Sequence, residues 1–161
     1  MIHLSGKILT SAPLMDDPIF RESVIFIAEH NENGALGFVI NKIFERNLNE
    51  LVEFSSSPAF PLFEGGPVDK DHLYFIHKHN DLIPGGVWVT EDIYYSGDFK
   101  QAIAYINNTT LTASDIKIFI GYCGWDKGDL EAEIAEGSWI VNDYREDIIF
   151  HESGYRPKAK S

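Results

Sequence analysis

The sequence has little of what secreted or membrane-spanning proteins contain. It holds one cysteine in 161 residues, and a single thiol cannot form an internal disulfide. Its longest apolar runs are only about six residues, whereas a membrane helix needs roughly 20. The N-terminal segment also lacks a charged stretch followed by a continuous apolar one, which is the pattern of an export signal. We therefore predict a cytoplasmic protein with no membrane span.

Basic residues are also scarce. The chain has 13 Lys and Arg against 25 Asp and Glu, a net charge of −12 and a sequence pI of about 4.8. Nucleic acids and anionic membranes both attract Lys and Arg, so this charge balance disfavours direct nucleic-acid binding and favours protein partners. Cations are enriched only at Arg156, Lys158 and Lys160. Residues 156–161 are predicted to be a frayed basic tail.

What the chain does contain is typical of a globular domain. Its residues are 44% hydrophobic, 13% aromatic and 24% charged, a composition unlike that of a disordered protein. A chain of this length fits one domain around one hydrophobic core. We predict that residues 1–155 form that single domain.

Two apolar runs predict a β-hairpin near the N-terminus. Residues 23–28 (SVIFIA) and 35–40 (ALGFVI) flank Asn33-Gly34, a dipeptide typical of tight hairpin turns. Both runs are apolar nearly throughout, without the alternation of a strand that has one face in water. The hairpin is therefore expected at the centre of a sheet.

The rest of the chain mixes helix and strand patterns. The strongest helix pattern follows Asp98, which is expected to cap a helix that runs to about residue 107. Asn47 and Glu50 have the spacing of a capping box and predict a short helix, and a further helix is predicted over residues 129–136. Apolar runs predict strands at residues 72–77, 87–90, 116–120, 138–141 and 148–151. This order favours an α+β fold.

The chain's cysteine lies in a glycine-rich segment, Gly121-Tyr122-Cys123-Gly124-Trp125, which is predicted to be a tight turn between a strand and a helix. Such a turn approaches the nucleophile elbow, in which small flanking residues expose a nucleophile at a helix N-terminus. Trp125 occupies the place of the elbow's second glycine, and no histidine lies nearby in the sequence to act as a base. Cys123 is therefore either an activated nucleophile or, as we favour, a packed small hydrophobe.

A second candidate set lies at the two ends of the first predicted strand, where Asp17 precedes Pro18 and Glu29 precedes His30. Carboxylates and an imidazole that meet across the ends of a hairpin can act as an acid–base pair. Asp before Pro is also a routine turn opener, and Glu-His at a strand end is commonly a solvated pair. We favour the structural interpretation.

A third candidate is a histidine run. His77 and His79 lie two residues apart, hence on one side of a strand, and Asp81 follows them. The run partly matches the histidine motif of metallo-β-lactamase-like hydrolases, but Leu82 stands where a further histidine is expected. Because a metal site needs three or four converging ligands, we predict no metal and no other cofactor.

The turn Glu64-Gly65-Gly66-Pro67 is the fourth candidate. Its glycines can present backbone N–H groups to an anion, as a nest does. It lacks the Lys and Ser/Thr of a phosphate-binding loop, and we favour a structural turn.

Five ordered motifs run along nearly the whole chain. They are D-P-x-F-x-x-S-V at residues 17–24, E-H-x-x-x-G-A-x-G at 29–37, Asn41, G-G-P-V at 65–68 and G-Y-x-G-W-x-x-G-x-L-E-x-E at 121–133. In this order they resemble the AlgH/YqgE-like family of bacterial proteins. That family more usually has Ala at the position of Cys123, which weighs against an essential thiol.

The resemblance carries expectations about fold and function. It implies a single-domain α+β fold with a branched mixed β-sheet, part of it curled into a small barrel and surrounded by helices. The resemblance assigns no catalytic residue and no cofactor, since none is established for the family. The family's association with transcriptional regulation of alginate synthesis belongs to its name-giving member.

The sequence is compatible with two classes of function. A regulatory or protein-interaction protein would use exposed aromatic residues and glycine-rich turns as a partner surface, and we rank this class first. A hydrolase-type enzyme or a small-molecule binder would instead gather polar residues, among them Asp17, Glu29, His30 and His77, in one concave pocket. The binding candidates are Asn41, Gly65, Gly66, Pro67, His77, Tyr122 and Trp125. Convergence of the polar candidates in a cleft would favour chemistry, and their dispersal would favour interaction.

Overall fold

The computed structural model describes residues 3–13 and 22–150. Within these residues the strands are β1 (Ile8–Ser11), β2 (Val24–Asn31), β3 (Gly34–Val39), β4 (Leu62–Glu64), β5 (Val68–His77), β6 (Val87–Thr90), β7 (Ile93–Tyr95), β8 (Ile116–Asp126) and β9 (Trp139–Asn142). The helices are α1 (Phe99–Asn107), α2 (Asp129–Ala135) and α3 (Glu146–Ile149). Within the described part of the chain, no helix is long and apolar enough to cross a membrane.

The strands form one mostly antiparallel sheet. Its order is β6-β7-β5-β8-β3-β2-β1-β9, and β4 pairs with β8 in parallel outside this path. β8 is the branch point, because its 11 residues pair with β4 and β5 near the start of the strand and with β3 near its end. The structure thus confirms a single domain of the α+β class, built from a branched mixed sheet and a few helices.

The expected curling into a small barrel is wrong. The path of paired strands stays open, with β6 at one end and β9 at the other. The sheet is curved: Gly6, just before β1, lies against Thr90 at the end of β6, although β1 and β6 are far apart in the strand order. Curvature gives the sheet a concave face, but its edges do not pair.

The core has clusters on both faces, because side chains alternate along each strand. The concave-face cluster contains Phe26, Phe38 and Phe119, and the rings of Phe38 and Phe119 stack with centroids 4.4 Å apart. Ile118, next to Phe119 in the chain, packs on the other face with Ile106 of α1. Burial on both faces explains why these strands lack a polar alternation.

The predicted central hairpin is confirmed, since β2 and β3 pair with each other in the interior of the sheet. Gly34 has a φ of 139°, and a Cβ atom there would collide with the carbonyl oxygen of Trp125. The predicted helix after Asp98 is also confirmed, because the Asp98 carboxylate accepts a hydrogen bond from the Gln101 N–H at 3.1 Å. Likewise, α2 occupies the predicted position.

Three predictions about elements are wrong. Residues 121–125 are not a tight turn, because β8 continues to Asp126 and β3 supplies its hydrogen-bonding partner there. The strand predicted at residues 148–151 is helix α3 up to Ile149, whose side chain packs into the concave-face cluster; His151 lies outside the described residues. The capping box predicted at Asn47 and Glu50 is confirmed, but the single short helix predicted after it is two separate 3-10 helices, Leu48–Glu50 and Val52–Phe54.

Candidate functional site

A surface cavity of about 500 Å³ lies where the β2–β3 hairpin meets the last residues of β8. We call it the β8 groove. Its lining includes Glu29, Leu36, Val68, Tyr122, Gly124, Trp125 and Asp126, and the hairpin turn with Asn33 closes one end. Three residues singled out from the sequence, Glu29, Tyr122 and Trp125, therefore meet in one place.

Strand register explains how Glu29 reaches this groove. Glu29 pairs with Leu36, and Leu36 in turn pairs with Gly124, so the three residues lie side by side across β2, β3 and β8. The β2–β3 register shifts between Ile27 and Glu29. Such a bulge re-aims the side chains that follow it, and here it turns Glu29 toward the concave face that Leu36 shares.

Tyr122 lines the groove, and other aromatic rings of the concave face pack next to it. Tyr122 contacts Tyr74 edge to face with centroids 5.2 Å apart, and Phe38 lies beneath Tyr74 and Tyr95, at 6.1 and 5.9 Å between centroids. Burial raises the pKa of Tyr95, and the charge of Glu29 raises it further. The Tyr95 hydroxyl therefore stays protonated, and the site is aromatic with a negative charge beside it.

The groove carries carboxylates without compensating cations. Glu29 and Asp126 line it, and both are exposed. Among the described residues, no Lys, Arg or His side chain forms an ion pair with either carboxylate. Lys70, which approaches the kink at Gly121, instead pairs with Glu64 at 2.9 Å. Both charged residues that line the groove are therefore acidic.

One side of β8 is unpaired at the groove. Residues 123–126 pair with β3 on one side. On the other side the neighbour of β8 is β5, whose first residue, Val68, lies opposite Tyr122. Within the described ranges, no strand continues the sheet beyond Val68 along this side of β8. The groove thus lies beside a free strand edge.

His30 is placed away from the groove. Its side chain is fully buried, and Nδ1 accepts a hydrogen bond from the Leu4 N–H at 3.0 Å. Its Nε2 donates to Glu131 of α2 at 3.1 Å. Glu29 and His30 lie on opposite faces of β2, so the structure does not bring them together as an acid–base pair. Asp17 lies outside the described residues.

His77 and His79 use their ring nitrogens within the protein. His77 is 0% exposed; its Nε2 donates to the Ser96 carbonyl oxygen at 2.9 Å, and its Nδ1 accepts from the His79 N–H at 3.2 Å. Burial lowers the pKa of His77. His79 instead binds the Asp115 carboxylate at 2.8 Å. In the part of the chain that the structure describes, no three His, Cys, Asp or Glu side chains converge as a metal site.

Asn41 and the Gly65-Gly66 turn have structural contacts. Asn41 Oδ1 accepts from the Val24 N–H and its Nδ2 donates to the Glu22 carbonyl oxygen, both at 3.0 Å. The Gly65 N–H donates to the Ile120 carbonyl oxygen at 2.8 Å, so it is not presented to an anion. A Cβ on Gly65 or Gly66 would collide with the backbone of β8. Pro67 is exposed and leads into Val68 at the groove.

Cys123 faces away from the groove. It is 1% exposed, its Sγ lies 3.4 Å from the Gly65 carbonyl oxygen, and it packs in the cluster with Ile25 and Leu130. Burial raises the pKa of the thiol to about 12. The expected place at a helix N-terminus is wrong, because α2 begins six positions later at Asp129.

Sequence reasoning missed Tyr74 and Tyr95, which lie on β5 and β7. The only signal was their place in aromatic-rich runs, Leu73-Tyr74-Phe75 and Tyr94-Tyr95. Nothing local in these runs indicates that both rings pack against Phe38 or that Tyr74 contacts Tyr122.

The fold and the groove define an α+β protein with an open, mostly antiparallel sheet and an acidic, tyrosine-lined surface cavity. Among protein families, the AlgH-like model matches residues 8–158. The chain belongs to the AlgH-like family.

Relatives and solved structures agree with this assignment. A UPF0301 protein of Chlorobaculum tepidum is 36% identical over 97% of this chain and 83% of its own length, and one of Parabacteroides distasonis is 36% identical over 96% and 79%. The solution structure of the AlgH protein from Pseudomonas aeruginosa is similar with a TM-score of 0.77 and 29% identity, covering 94% of this chain and 83% of that one. A Corynebacterium diphtheriae protein shares the fold, with a TM-score of 0.73 and 21% identity over 94% and 81%.

Proposed function

We propose that this protein is a regulatory protein-interaction protein and that the β8 groove is its partner-binding surface. The observation that carries the proposal is the groove itself, where the half-buried ring of Tyr122 adjoins Val68, which is 39% exposed. Aromatic residues are enriched at protein interfaces because they bury a large area at a small entropic cost.

The placement of the polar candidates supports interaction over chemistry. Glu29 lines the groove, but His30, Asn41 and His77 hold backbone or side-chain groups elsewhere in the fold. General acid–base catalysis needs partners within hydrogen-bond reach of one substrate. The described candidates do not provide such a pair, and an open groove with few fixed polar groups suits a protein segment better than a small substrate.

The charge of the molecule supports protein partners in a cytoplasmic setting. A net charge of −12 repels phosphate backbones and gives no basis for direct DNA binding. Any effect on transcription would then pass through a bound protein, whose basic residues the acidic groove would attract.

Site-specific photo-crosslinking in cells tests the proposal. Benzoylphenylalanine at Asn33, an exposed residue of the groove, should give a discrete protein adduct. The same group at the exposed Ala59, outside the groove, should not. The identified partner, once purified, should bind Tyr122→Ala roughly tenfold more weakly than the wild type.

Two controls make the outcome decisive. Trp88→Ala removes an exposed ring on β6, outside the groove, and should leave the affinity within about twofold. Each variant should keep the wild-type circular dichroism spectrum. Equal adducts from positions 33 and 59, or equal affinities of Tyr122→Ala and wild type, would refute the proposed surface.

A further inference from the structure

We propose that the partner segment binds as an added β-strand along the unpaired side of residues 123–126 of β8, with basic side chains over Gly124 that face Glu29. This rests on the proposed function of the β8 groove. It names the binding mode and the chemistry of the partner: an extended, basic protein segment.

The free edge of β8 offers backbone N–H and C=O groups to an added strand. In an antiparallel pair, alternate residues direct both N–H and C=O to the neighbouring strand, and the residues between them direct theirs away from it. Residues 123–126 are paired with β3. Half of their backbone groups therefore point to the opposite side, which β5 does not reach because it begins at Val68, opposite Tyr122. An extended peptide can complete this ladder, as in other cases of strand addition.

At Gly124 this edge carries no side chain that would block an incoming strand. Proteins commonly shield free edges with charged side chains, proline or a covering element. Gly124 has no side chain and is exposed, and it lies at the floor of the 500 Å³ cavity. A Cβ atom on Gly124 would lie 3.3 Å from the Tyr122 ring. The absence of a side chain thus leaves room for those of an incoming strand.

Curvature of the sheet directs these incoming side chains toward negative charge. β3 and β7 are separated by two strands, yet the rings of Phe38 on β3 and Tyr95 on β7 have centroids 5.9 Å apart. The concave face, which Glu29 shares with its β3 partner Leu36, therefore curves toward the tyrosines. A cation lying over Gly124 would face the Tyr122 ring and the Glu29 and Asp126 carboxylates, and both kinds of group attract it.

An acidic segment is disfavoured by the same geometry. Within the described residues, neither Glu29 nor Asp126 is neutralised by an ion pair. The carboxylates of an acidic segment would be repelled by Glu29 and Asp126, whereas the cations of a basic segment would be attracted to them. Lysine and arginine also have stems long enough to cover Leu36 while the charged group reaches past it.

The probe is a capped heptapeptide that alternates valine and lysine, compared with the same peptide carrying glutamate in place of lysine. Binding to the ¹⁵N-labelled protein is followed by amide chemical shifts. We expect the lysine peptide to shift the amides of residues 122–126 and Glu29 and to slow amide exchange at alternate residues of this stretch. The glutamate peptide should leave these amides unchanged.

Protein variants test the contacts against matched controls. Glu29→Gln and Gly124→Val should each weaken binding of the lysine peptide by at least about fivefold, the first by removing charge and the second by filling the groove. Glu53→Gln and Ala59→Val make the same kinds of change at exposed positions outside the groove and should have less than a twofold effect.

N-methylation of the peptide tests strand addition itself. Methyl groups on the alternate residues whose N–H groups face β8 should abolish binding, and methyl groups on the other set should not. Equal effects of the two sets would overturn strand addition, and equal binding of the glutamate peptide would overturn the basic segment. Shifts confined to the outer strands β6 or β9 would also overturn the inference. If the crosslinked partner binds the groove but the lysine peptide does not, this inference fails while the proposed function stands.

Discussion

Lys117 is the residue whose environment departs furthest from what its type prefers. It is 4% exposed on the central strand β8. Its Nζ donates to the Ile149 carbonyl oxygen at 3.0 Å and lies 3.8 Å from the centroid of the Phe63 ring. Burial without a carboxylate partner disfavours the charged amine and lowers the pKa of Lys117 to about 7.

This environment predicts a rise in stability with pH. Between pH 7 and 10.5 the unfolded chain keeps the Lys117 proton and the folded protein has lost it. The free energy of unfolding therefore increases with pH across this window, because the unfolded state binds more protons. Lys117→Met should remove this dependence, so the difference between variant and wild type should change by on the order of 3 kcal/mol from pH 6 to pH 9.

Urea unfolding at the two pH values measures that difference. The absolute effect of Lys117→Met at one pH also includes the Ile149 carbonyl, which loses its donor at a cost of about 1–3 kcal/mol. The pH dependence isolates the titration of the amine. Parallel curves of stability against pH for the two proteins would show that Lys117 stays charged in the fold.

Cys123 is expected to be an unreactive thiol in the folded protein. Its pKa is raised to about 12 by burial, and only the thiolate reacts with disulfide reagents. We expect labelling of the folded protein at pH 6 to be slow and to become fast on unfolding. Cys123→Ala should lower the free energy of unfolding by only about 1 kcal/mol, because it removes one sulfur from a packed site. Rapid labelling of the folded protein would contradict this.

At the scale of elements, the hairpin turn depends on Gly34. Its φ of 139° and its contact with the Trp125 carbonyl oxygen exclude a side chain. Gly34→Val should therefore destabilise the protein by on the order of 2 kcal/mol or more and lower the melting temperature by several degrees. Thermal unfolding followed by circular dichroism measures this. Glu32→Ala, at an exposed position in the same turn, is the control, and an equal melting temperature for both variants would contradict the expectation.

Elements with a local signal were predictable from the sequence. The β2–β3 hairpin and α1 have continuous apolar runs or a helical period with a cap, and the structure confirms both. β1, β4 and β7 are only three or four residues long, too short to show a period. The extension of β8 through Gly121-Gly124 depends on pairing with β3, and its local composition favours a turn. Whether such segments form strands depends on pairing partners that are distant in the sequence.

At the scale of the whole molecule, the groove was predictable only in part. Glu29, Tyr122 and Trp125 were candidates and do line it. Their meeting depends on a register shift in β2 and on the curvature of the sheet, neither of which leaves a mark in the local sequence. His30, Asn41 and His77 are polar residues whose side chains bind backbone groups. Sequence alone does not separate that role from chemistry.

The distribution of charge leads to the last prediction, that the isolated protein lacks appreciable affinity for duplex DNA at physiological salt. Non-specific binding requires clustered cations that displace counterions from phosphates. In the described residues, Lys7, Lys70, Lys78 and Arg145 each pair with a carboxylate, and Lys117 is buried. These paired or buried cations are poorly placed to bind phosphates, and the net charge of −12 repels a duplex. We expect no electrophoretic shift of a duplex at low micromolar protein. A shift that weakens steeply with added salt would reveal a basic surface and would contradict action through a bound protein alone.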